Sequence, residues 1–368
     1  MSKTFIALVG YQNNAGDRLI GQKGKEIIED TLDCKVILVN RFQTKNDDFY
    51  LMINQSDGLI LLGGPSLRGD FLKAIYGINL YKIKTKVTAL GIGWKSLSGS
   101  IFDTFTYEKI GNLKDLNKVS FSVRDYYSKY ALNIQGLEEV TLTGCPALFS
   151  SYNGIQPKFP RTIKNVVFSV GVEFSKSKSL RYQTYSLIKL LNYEFNIIVA
   201  FHHGIGKNYE SAKNFNKRLY KSNLSLAKYL EKNEIKFSDI SDTTEKFENI
   251  YSETDFHIGY RVHAHIYSMS INKPSILICE DGRGKSLKET VSGLYFDAFY
   301  EFKKSLFSKI SNKLFNYDRY RTNPLLSKLI VHELKQEVQN EYPRISQYRD
   351  DIDNYRKRMS EFIKSELG

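Results

Sequence analysis

Residues 260–265 read YRVHAH and place one arginine and two histidines at alternate positions, in a chain of 368 residues that contains only six histidines. If this stretch continues a β-strand, Arg261, His263 and His265 share one face, because side chains alternate with a period of two along a strand. Such a group can hold an anion through the guanidinium and move a proton through an imidazole near neutral pH. The spacing therefore predicts an acid–base site for an anionic substrate.

A second candidate is the turn GYQNNAGDRLIG, which carries Asn14 and Asp17 from an apolar run into a helical pattern. Free N–H groups at a helix start bind phosphate or carboxylate. Capping of the helix is the competing role for both side chains, and the pattern alone favours it. Glycines follow two later apolar runs, in LLGGPSL, which contains Gly64, and in LGIGW. They allow a ligand to approach the backbone or simply complete a tight turn.

Two further strand ends carry groups that suit an anion. SFSVRDYYSKYAL supplies Arg124, which can form a fork onto a carboxylate or phosphate, and Asp125, which can cap the next helix or pair with that arginine. FHHGIG supplies His202 and His203, of which at most one faces a cleft.

Several kinds of site are not predicted. No helix carries paired His and Glu ligands at close spacing and no cysteine pair exists, so no metal is expected. There is no GxSxG nucleophile elbow, no Walker loop and no dinucleotide fingerprint.

The composition fits a globular chain with a sizeable core, since 42% of its residues are hydrophobic and 13% are aromatic. The formal charge of +13 would attract phosphate, nucleic acid, anionic glycan or an acidic membrane surface. Three cysteines, Cys34, Cys145 and Cys279, favour reduced thiols in a cytosolic protein. The opening residues resemble a first strand and not a signal peptide, and no run approaches membrane-spanning length. A cytoplasmic location is expected, with peripheral association at the inner membrane face left open.

Short apolar runs alternate with helical patterns throughout, which predicts parallel sheets covered by helices. Two such series are separated by a Pro- and Gly-containing linker at residues 150–164. The expected fold class is α/β, with two Rossmann-like domains at residues 1–155 and 160–315 that face a cleft. The strand runs are TFIALVG, CKVILVN, DGLILLGG, KVTALGIG, KVSFSVRD and EVTLTG in the first series, and NVVFSVG, FNIIVAFHH, IKFSDIS, DFHIGYRVH and PSILICED in the second.

Residues 316–368 have a helical pattern. Apolar residues recur at spacings of three and four, a seam too short to require a coiled coil. Docking across the two domains is the preferred interpretation, and self-association into a homo-oligomer is the alternative. The seam comprises Ile345, Tyr348, Ile352, Tyr355, Met359 and Phe362.

Six short motifs follow one another along the chain: NNAGD, LLGG, GIG, SVRDYYS, TGCPALF and GYRVHAHIYSMSINKPSILICEDGRGKSL. In this order the chain resembles the polysaccharide pyruvyltransferase family over roughly residues 10–290. The most specific parts are the Ser-Val-Arg-Asp element and the Arg-x-His element followed by a helix and a strand that ends in CEDGRG. The resemblance implies a two-domain fold similar to the GT-B glycosyltransferases. It also implies transfer of a pyruvyl group from phosphoenolpyruvate to two hydroxyls of a sugar in a cell-surface polysaccharide or its precursor.

In this interpretation Arg124 and Arg261 clamp the anionic donor and His263 is the general acid or base. Phosphoenolpyruvate is a donor substrate, so no cofactor is required. His265 lies outside the part of the motif that transfers, since the residues after it have a helical pattern. The predicted catalytic residues are His263 and Asp125, and the predicted substrate-binding residues are Arg124, Arg261, Asn14, Asp17, Gly64, His202 and Arg283.

The expected partners are phosphoenolpyruvate and a sugar or lipid-linked oligosaccharide acceptor, without specific nucleic-acid binding. Two other functions stay open. One is a GT-B glycosyltransferase that uses a nucleotide sugar, since a fold alone does not settle function. The other is a non-enzymatic binder of anionic glycan or nucleic acid, which the positive charge would serve.

Overall fold

The apolar runs of the sequence form the strands of two parallel sheets. The computed structural model describes residues 2–10, 15–67, 69–94, 113–149, 158–206, 215–302, 318 and 320–368. Every run predicted to be a strand forms one, because a parallel strand covered on both faces must be apolar throughout. The linker predicted at residues 150–164 falls largely outside the described residues.

The first sheet is built from seven strands in the order β2-β1-β3-β5-β6-β7, with β4 paired to β5. All of its pairs are parallel. Its strands are β1 (Thr4–Val9), β2 (Lys35–Asn40), β3 (Gly58–Leu62), β4 (Pro65–Leu67), β5 (Val87–Trp94), β6 (Val119–Val123) and β7 (Val140–Leu142). The described helices of this half are α1 (Ala15–Leu32), α2 (Asp47–Asn54), α3 (Phe71–Ala74), α4 (Leu113–Leu116) and α5 (Tyr126–Asn133).

The second sheet has six parallel strands in the order β10-β9-β8-β11-β12-β13. This is the doubly wound order of Rossmann folds. Its strands are β8 (Asn165–Ser169), β9 (Asn196–Phe201), β10 (Lys236–Asp239), β11 (Phe256–Gly259), β12 (Ser275–Cys279) and β13 (Leu294–Asp297). Its described helices are α6 (Lys178–Glu194), α7 (Lys217–Lys232), α8 (Thr244–Glu253), α9 (Val262–Ser270) and α10 (Gly282–Lys288).

A small antiparallel pair, β14 (Glu301–Phe302) and β15 (Tyr320–Arg321), precedes the C-terminal helices α11 (Leu326–Gln339) and α12 (Tyr348–Leu367). The apolar seam of this segment is buried within the chain itself. Helix α12 contacts both halves: the Ser120 hydroxyl donates to Glu366 at 2.6 Å, and the Tyr355 hydroxyl donates to the Thr290 carbonyl at 3.0 Å. The expected α/β architecture with a helical C-terminal segment is confirmed, while the exact domain boundaries stay a prediction.

One local expectation is wrong. Strand β11 ends at Gly259, and Arg261 is already the residue that precedes helix α9. His263 and His265 therefore lie on a helix, where two residues correspond to about 200° of rotation. They point to opposite sides, and the arginine and two histidines do not share one face.

Among the helices that the structure describes, none has the length and apolar character that a membrane crossing requires.

Candidate active site

The two sheets each have a point where the strand order reverses, and ligands of open parallel sheets bind beyond the carboxyl ends of the strands at that point. In the first sheet it lies between β1 and β3, and in the second between β8 and β11. Helix α1 follows β1, and Arg261 follows β11. The candidate site lies where these two carboxyl edges meet.

His263 connects the two halves. It lies in the first turn of α9 and is only 8% exposed. Its ring packs against the first turn of α1, so closely that a Cβ on Gly16 would lie 2.1 Å from the His263 Nδ1. A glycine is therefore required at this contact. The Nδ1 side of the ring faces α1, and the buried Nε2 has no hydrogen-bond partner among the described residues.

The surroundings of His263 strongly favour its neutral form. Burial, followed by the positive charges of Arg124, Arg283 and Arg261, lowers the pKa of this imidazole well below its usual value. The positive end of α1 adds to the same effect. Arginines from both halves are thus close enough for their charges to act on one buried imidazole, an arrangement that an anionic ligand would relieve.

Arg261 is held at the end of β11 by its backbone and by its side chain. Its N–H donates to the Ser169 hydroxyl at 3.2 Å, which ties it to β8 across the switch point. Its guanidinium Nη2 lies 3.2 Å from the His203 Nε2. Because a guanidinium can only donate, the His203 ring accepts through a neutral nitrogen. Burial, together with Arg261 and Arg283, lowers the pKa of His203 well below its usual value, consistent with that role.

Arg124 and Asp125 form a buried ion pair of 3.0 Å at the end of β6. One oxygen of Asp125 accepts the Arg124 Nε, and the other caps α5 by accepting the Ser128 N–H at 2.8 Å. The Ser286 hydroxyl of the second half donates to the same carboxylate at 2.7 Å. A Cβ on Gly93 would lie 2.1 Å from the Arg124 Nε, so this glycine makes room for the guanidinium. Asp125 thereby caps a helix, orients Arg124 and joins the two halves.

Arg283 lies in the first turn of α10, beside the carboxylate that caps the same helix. Its Nε and Nη2 donate to one Asp281 oxygen at 2.8 and 2.5 Å. Burial alone would raise the pKa of Asp281, but Arg283 and backbone N–H groups lower it below its usual value. The carboxylate in turn raises the pKa of Arg283, so this cation stays charged.

Glu280 is a buried carboxyl group at the same strand end. It accepts hydrogen bonds from the N–H groups of Val172 at 2.8 Å and Glu173 at 2.9 Å, which fixes the loop after β8. Burial, followed by the nearby charges of Glu173 and Asp281, raises its pKa to about 7. Sequence reasoning passed over Glu280, since a glutamate at the end of a strand carries no distinctive signal.

Some predicted residues lie apart from this group. His202 is 2% exposed, and its Nε2 is bonded to the Tyr251 hydroxyl at 2.7 Å within the core, so the histidine of this pair beside Arg261 is His203. Of the two histidines, His202 was predicted from sequence to bind substrate, and His203 was not. Gly64 occupies a turn after β3 with a φ of +77°, a conformation that favours glycine. Asp17 lies in the first turn of α1, and Asn14 is outside the described residues.

His265 belongs to a buried polar chain of the second half. Its Nδ1 and the His257 Nδ1 both bond the Ser275 hydroxyl, at 2.6 and 2.7 Å, and the His257 Nε2 bonds the Ser169 hydroxyl at 2.8 Å. Burial lowers the pKa of His265 to about 3, so this ring is neutral. This series of hydrogen bonds ends at the Ser169 hydroxyl, which accepts the Arg261 N–H. It therefore supports Arg261 from within the core.

The described site can bind an anion and supply one titratable nitrogen at its centre. Three guanidinium groups and a helix N-terminus provide positive charge, which the paired carboxylates of Asp125 and Asp281 partly offset, and His263 provides an imidazole. Among the described residues, no cluster of histidine, cysteine and acidic side chains is suited to hold a metal ion.

Solved structures with the same arrangement of two α/β halves are similar in fold alone. A Listeria monocytogenes protein provisionally assigned as UDP-N-acetylglucosamine 2-epimerase aligns with a TM-score of 0.56 and 10% identity, over 99% of this chain and 96% of its own. UDP-GlcNAc 2-epimerase from Neisseria meningitidis, bound to UDP-GlcNAc, aligns with a TM-score of 0.54 and 10% identity, over 98% and 100% of the two chains. These alignments confirm the GT-B-like fold.

No curated protein sequence matches this chain. The family model for polysaccharide pyruvyl transferase matches residues 14–280, which include Arg124, Arg261 and His263 and the switch points of both sheets. The chain therefore belongs to the polysaccharide pyruvyl transferase family.

Proposed function

We propose that this protein transfers a pyruvyl group from phosphoenolpyruvate to two hydroxyls of a sugar and forms a pyruvate ketal. The observation that carries the proposal is the buried His263, whose Nε2 has no partner among the described residues, beside arginines from both halves of the fold. Phosphoenolpyruvate combines a phosphate, a carboxylate and a methylene carbon that must be protonated. The site supplies cations for the first two and an imidazole for the third.

Binding of the donor prepares the acid. In the free protein burial, followed by the charges of the arginines, keeps His263 neutral, and a neutral imidazole cannot donate a proton to carbon. The phosphate and carboxylate of the donor would offset those positive charges, so the pKa of His263 rises as the donor binds. The imidazole then takes up a proton only when a substrate is present to receive it.

The reaction balances without a further reactant. The proton from His263 Nε2 adds to the methylene carbon and converts it to a methyl group, which leaves positive character on the central carbon. A sugar hydroxyl bonds to that carbon, the bond between carbon and phosphate oxygen breaks, and a neighbouring hydroxyl closes the ketal. Of the two hydroxyl protons, one restores the imidazolium and the other ends on the released phosphate.

The arginines stabilise charge on the phosphate as it leaves. Arg124 and Arg261 come from opposite halves, so both can contact the donor only when the halves face each other as they do here. Both oxygens of Asp125 are engaged by hydrogen bonds. We assign Asp125 a positioning role through Arg124, in place of the catalytic role predicted from sequence.

The test is to incubate the protein with phosphoenolpyruvate and a panel of free, phosphorylated and lipid-linked saccharides. Mass spectrometry should detect the mass increment of a pyruvate ketal on an acceptor, with an equal amount of released phosphate. A parallel arm offers nucleotide sugars as donors. Consumption of a nucleotide sugar with no use of phosphoenolpyruvate would refute the proposal and favour the glycosyltransferase alternative.

A further inference from the structure

A basic cavity lies at the rim of the second half, apart from the arginines around His263. It has a volume of about 500 Å³, within the usual size of ligand sites. The side chains of Arg181, Lys217, Arg218 and Lys221 line the cavity, together with serines such as Ser175. No acidic side chain is among the described lining residues.

The cations of this cavity are not neutralised within the described part of the chain. None of the four forms an ion pair with a described carboxylate, and the buried Nε of Arg181 has no hydrogen-bond partner there. Arg218 is held in place, since its Nε donates to the Ser175 carbonyl at 2.8 Å and its Nη2 to the Lys176 carbonyl at 3.0 Å. An oriented guanidinium beside one whose Nε has no partner in the described part of the chain is suited to hold a phosphate.

Two helices begin beside the same cations, and one of them adds to the positive field. Helices α6 and α7 begin at the cavity, after the caps Ser177 and Asn216, and have 17 and 16 residues. The first turn of α7 contributes a partial positive charge, whereas the first turn of α6 is already met by the Asp318 carboxylate, which accepts from the Ser179 N–H at 2.7 Å. Because α6 and α7 follow β8 and β9, both helix starts lie at the carboxyl edge of the second sheet, where Arg261 also lies.

One loop links the cavity to the candidate active site. Val172 donates to Glu280 beside the Asp281–Arg283 pair, and Ser175 lines the basic cavity. Three residues of chain span at most about 11 Å. This loop therefore brings the edge of the cavity within about 11 Å of the residue that is bonded to Glu280.

On the basis of the proposed function, we propose that the cavity of Arg181, Lys217, Arg218 and Lys221 binds a phosphate or diphosphate group of the acceptor saccharide. The donor is too small to fill this cavity as well as the site around His263. A phosphate placed here would direct the sugar hydroxyls toward the donor. The group can belong to the diphosphate of a lipid carrier or to a phosphorylated sugar, and the chemistry of recognition is the same for both.

The direct test is calorimetric titration with inorganic diphosphate in a protein that carries Arg261→Gln, so that the donor site is disabled. Adding Arg181→Gln and Lys221→Gln should weaken binding about ten- to a hundred-fold, the effect expected for loss of charge-assisted hydrogen bonds. The matched control replaces Lys228 and Lys232, exposed residues further along α7, by Gln. It makes the same change in net charge and should bind as before. Equal binding in the pocket variant and the control would overturn the assignment.

With the donor site intact, the pocket variant should keep its affinity for phosphoenolpyruvate and show a raised KM for phosphorylated acceptors alone. Measuring KM with a polyprenyl diphosphate saccharide and with a soluble sugar phosphate shows which of the two carries the phosphate that the cavity binds. If phosphoenolpyruvate fails to bind the unaltered protein, the proposed function fails, yet the diphosphate titration still decides the site. Loss of binding to phosphatidylglycerol vesicles with unchanged diphosphate affinity would assign the cavity to a membrane surface and overturn the proposal.

Discussion

The imidazole of His263, from the second half of the fold, lies directly against Gly16 in the first turn of α1. A Cβ on Gly16 would lie 2.1 Å from the ring Nδ1, well inside van der Waals contact. Because Gly16 in the first half has no side chain, the ring of His263 from the second half can lie at this position. Since the first turn of α1 also presents a positive helix end, the same contact fixes the electrostatic surroundings of the ring.

The first prediction concerns this contact. Gly16→Ala should displace His263 or separate the halves, because the added Cβ would lie 2.1 Å from the ring Nδ1 and 2.9 Å from the His263 Cβ, so that the ring or the backbone must shift. We expect a loss of transfer rate of about a hundred-fold or more, comparable to loss of a positioned acid. Steady-state kinetics and phosphoenolpyruvate titration measure the effect.

Gly206→Ala is the matched control, since the nearest described atom to a Cβ there is Asp239 Oδ2, at 3.8 Å. It should leave kinetics and thermal stability unchanged. Full activity of Gly16→Ala would show that the contact with His263 is not maintained in solution.

The second prediction separates the two histidines of α9. His263→Ala should lower the transfer rate by about 10² to 10⁴, because the proton donor is lost, while the fold is retained. His265→Ala should have a much smaller effect on rate but should destabilise the protein, because it leaves the Ser275 hydroxyl without one partner in the core. Rates, donor affinity and thermal unfolding of both variants are measured under the same conditions. Near-normal turnover of folded His263→Ala would remove the proposed acid.

The fold was largely predictable from sequence, and the geometry of the site was not. Apolar runs such as GLILL and SILIC are buried at every position, so the strands could be read from composition. The strand pattern of residues 256–265 was misleading, because Gly259, with a φ of +156°, ends β11 and the chain turns into α9. The contact between Gly16 and His263 joins residues far apart in sequence and leaves no periodic signal.

The choice between His202 and His203 shows the same limit at a single residue. Both residues follow β9, and the side to which each side chain points depends on where the alternation of side chains along the strand ends. His202 bonds Tyr251 in the core and His203 contacts Arg261, an outcome set by the neighbouring helix α8 and strand β11.

The third prediction concerns stability at acid pH. The pKa values of His202, His203, His257, His263 and His265 all lie below the usual value, in each case mainly because of burial. Below about pH 6.5 the unfolded chain binds protons that the folded chain does not. The free energy of unfolding should therefore fall as pH falls from about 6.5 toward the lower pKa values of the folded state. Above about pH 6.5 these histidines should add no pH dependence to the stability.

The slope has an upper limit of about 1.4 kcal/mol per histidine for each pH unit. Urea unfolding at pH 7.5, 6.5 and 5.5 measures it. Replacement of the exposed His332 by Gln should leave the slope unchanged, whereas His203→Gln should reduce it. A free energy of unfolding that stays constant from pH 7.5 to 5.5 would contradict buried neutral imidazoles.

The fourth prediction is that donor binding is coupled to proton uptake by His263. Burial and three arginines hold the pKa of this imidazole low in the free protein, and an anion placed among those arginines should raise it. A group whose pKa rises on binding takes up a proton between its two values, so the affinity for phosphoenolpyruvate should increase as pH falls through that range. Calorimetric titration in buffers of different ionisation enthalpy counts the protons exchanged.

The phosphate of the donor can itself exchange a proton, so the comparison between variants isolates the histidine. His263→Gln should exchange fewer protons than the unaltered protein at every pH in the range, whereas His332→Gln should exchange the same number. If His263→Gln and the unaltered protein exchange equal numbers of protons, the imidazole does not change its protonation on binding. In that case the proton for the methylene carbon must come from another group, and the buried carboxyl of Glu280, with a pKa raised to about 7, is the next candidate to replace.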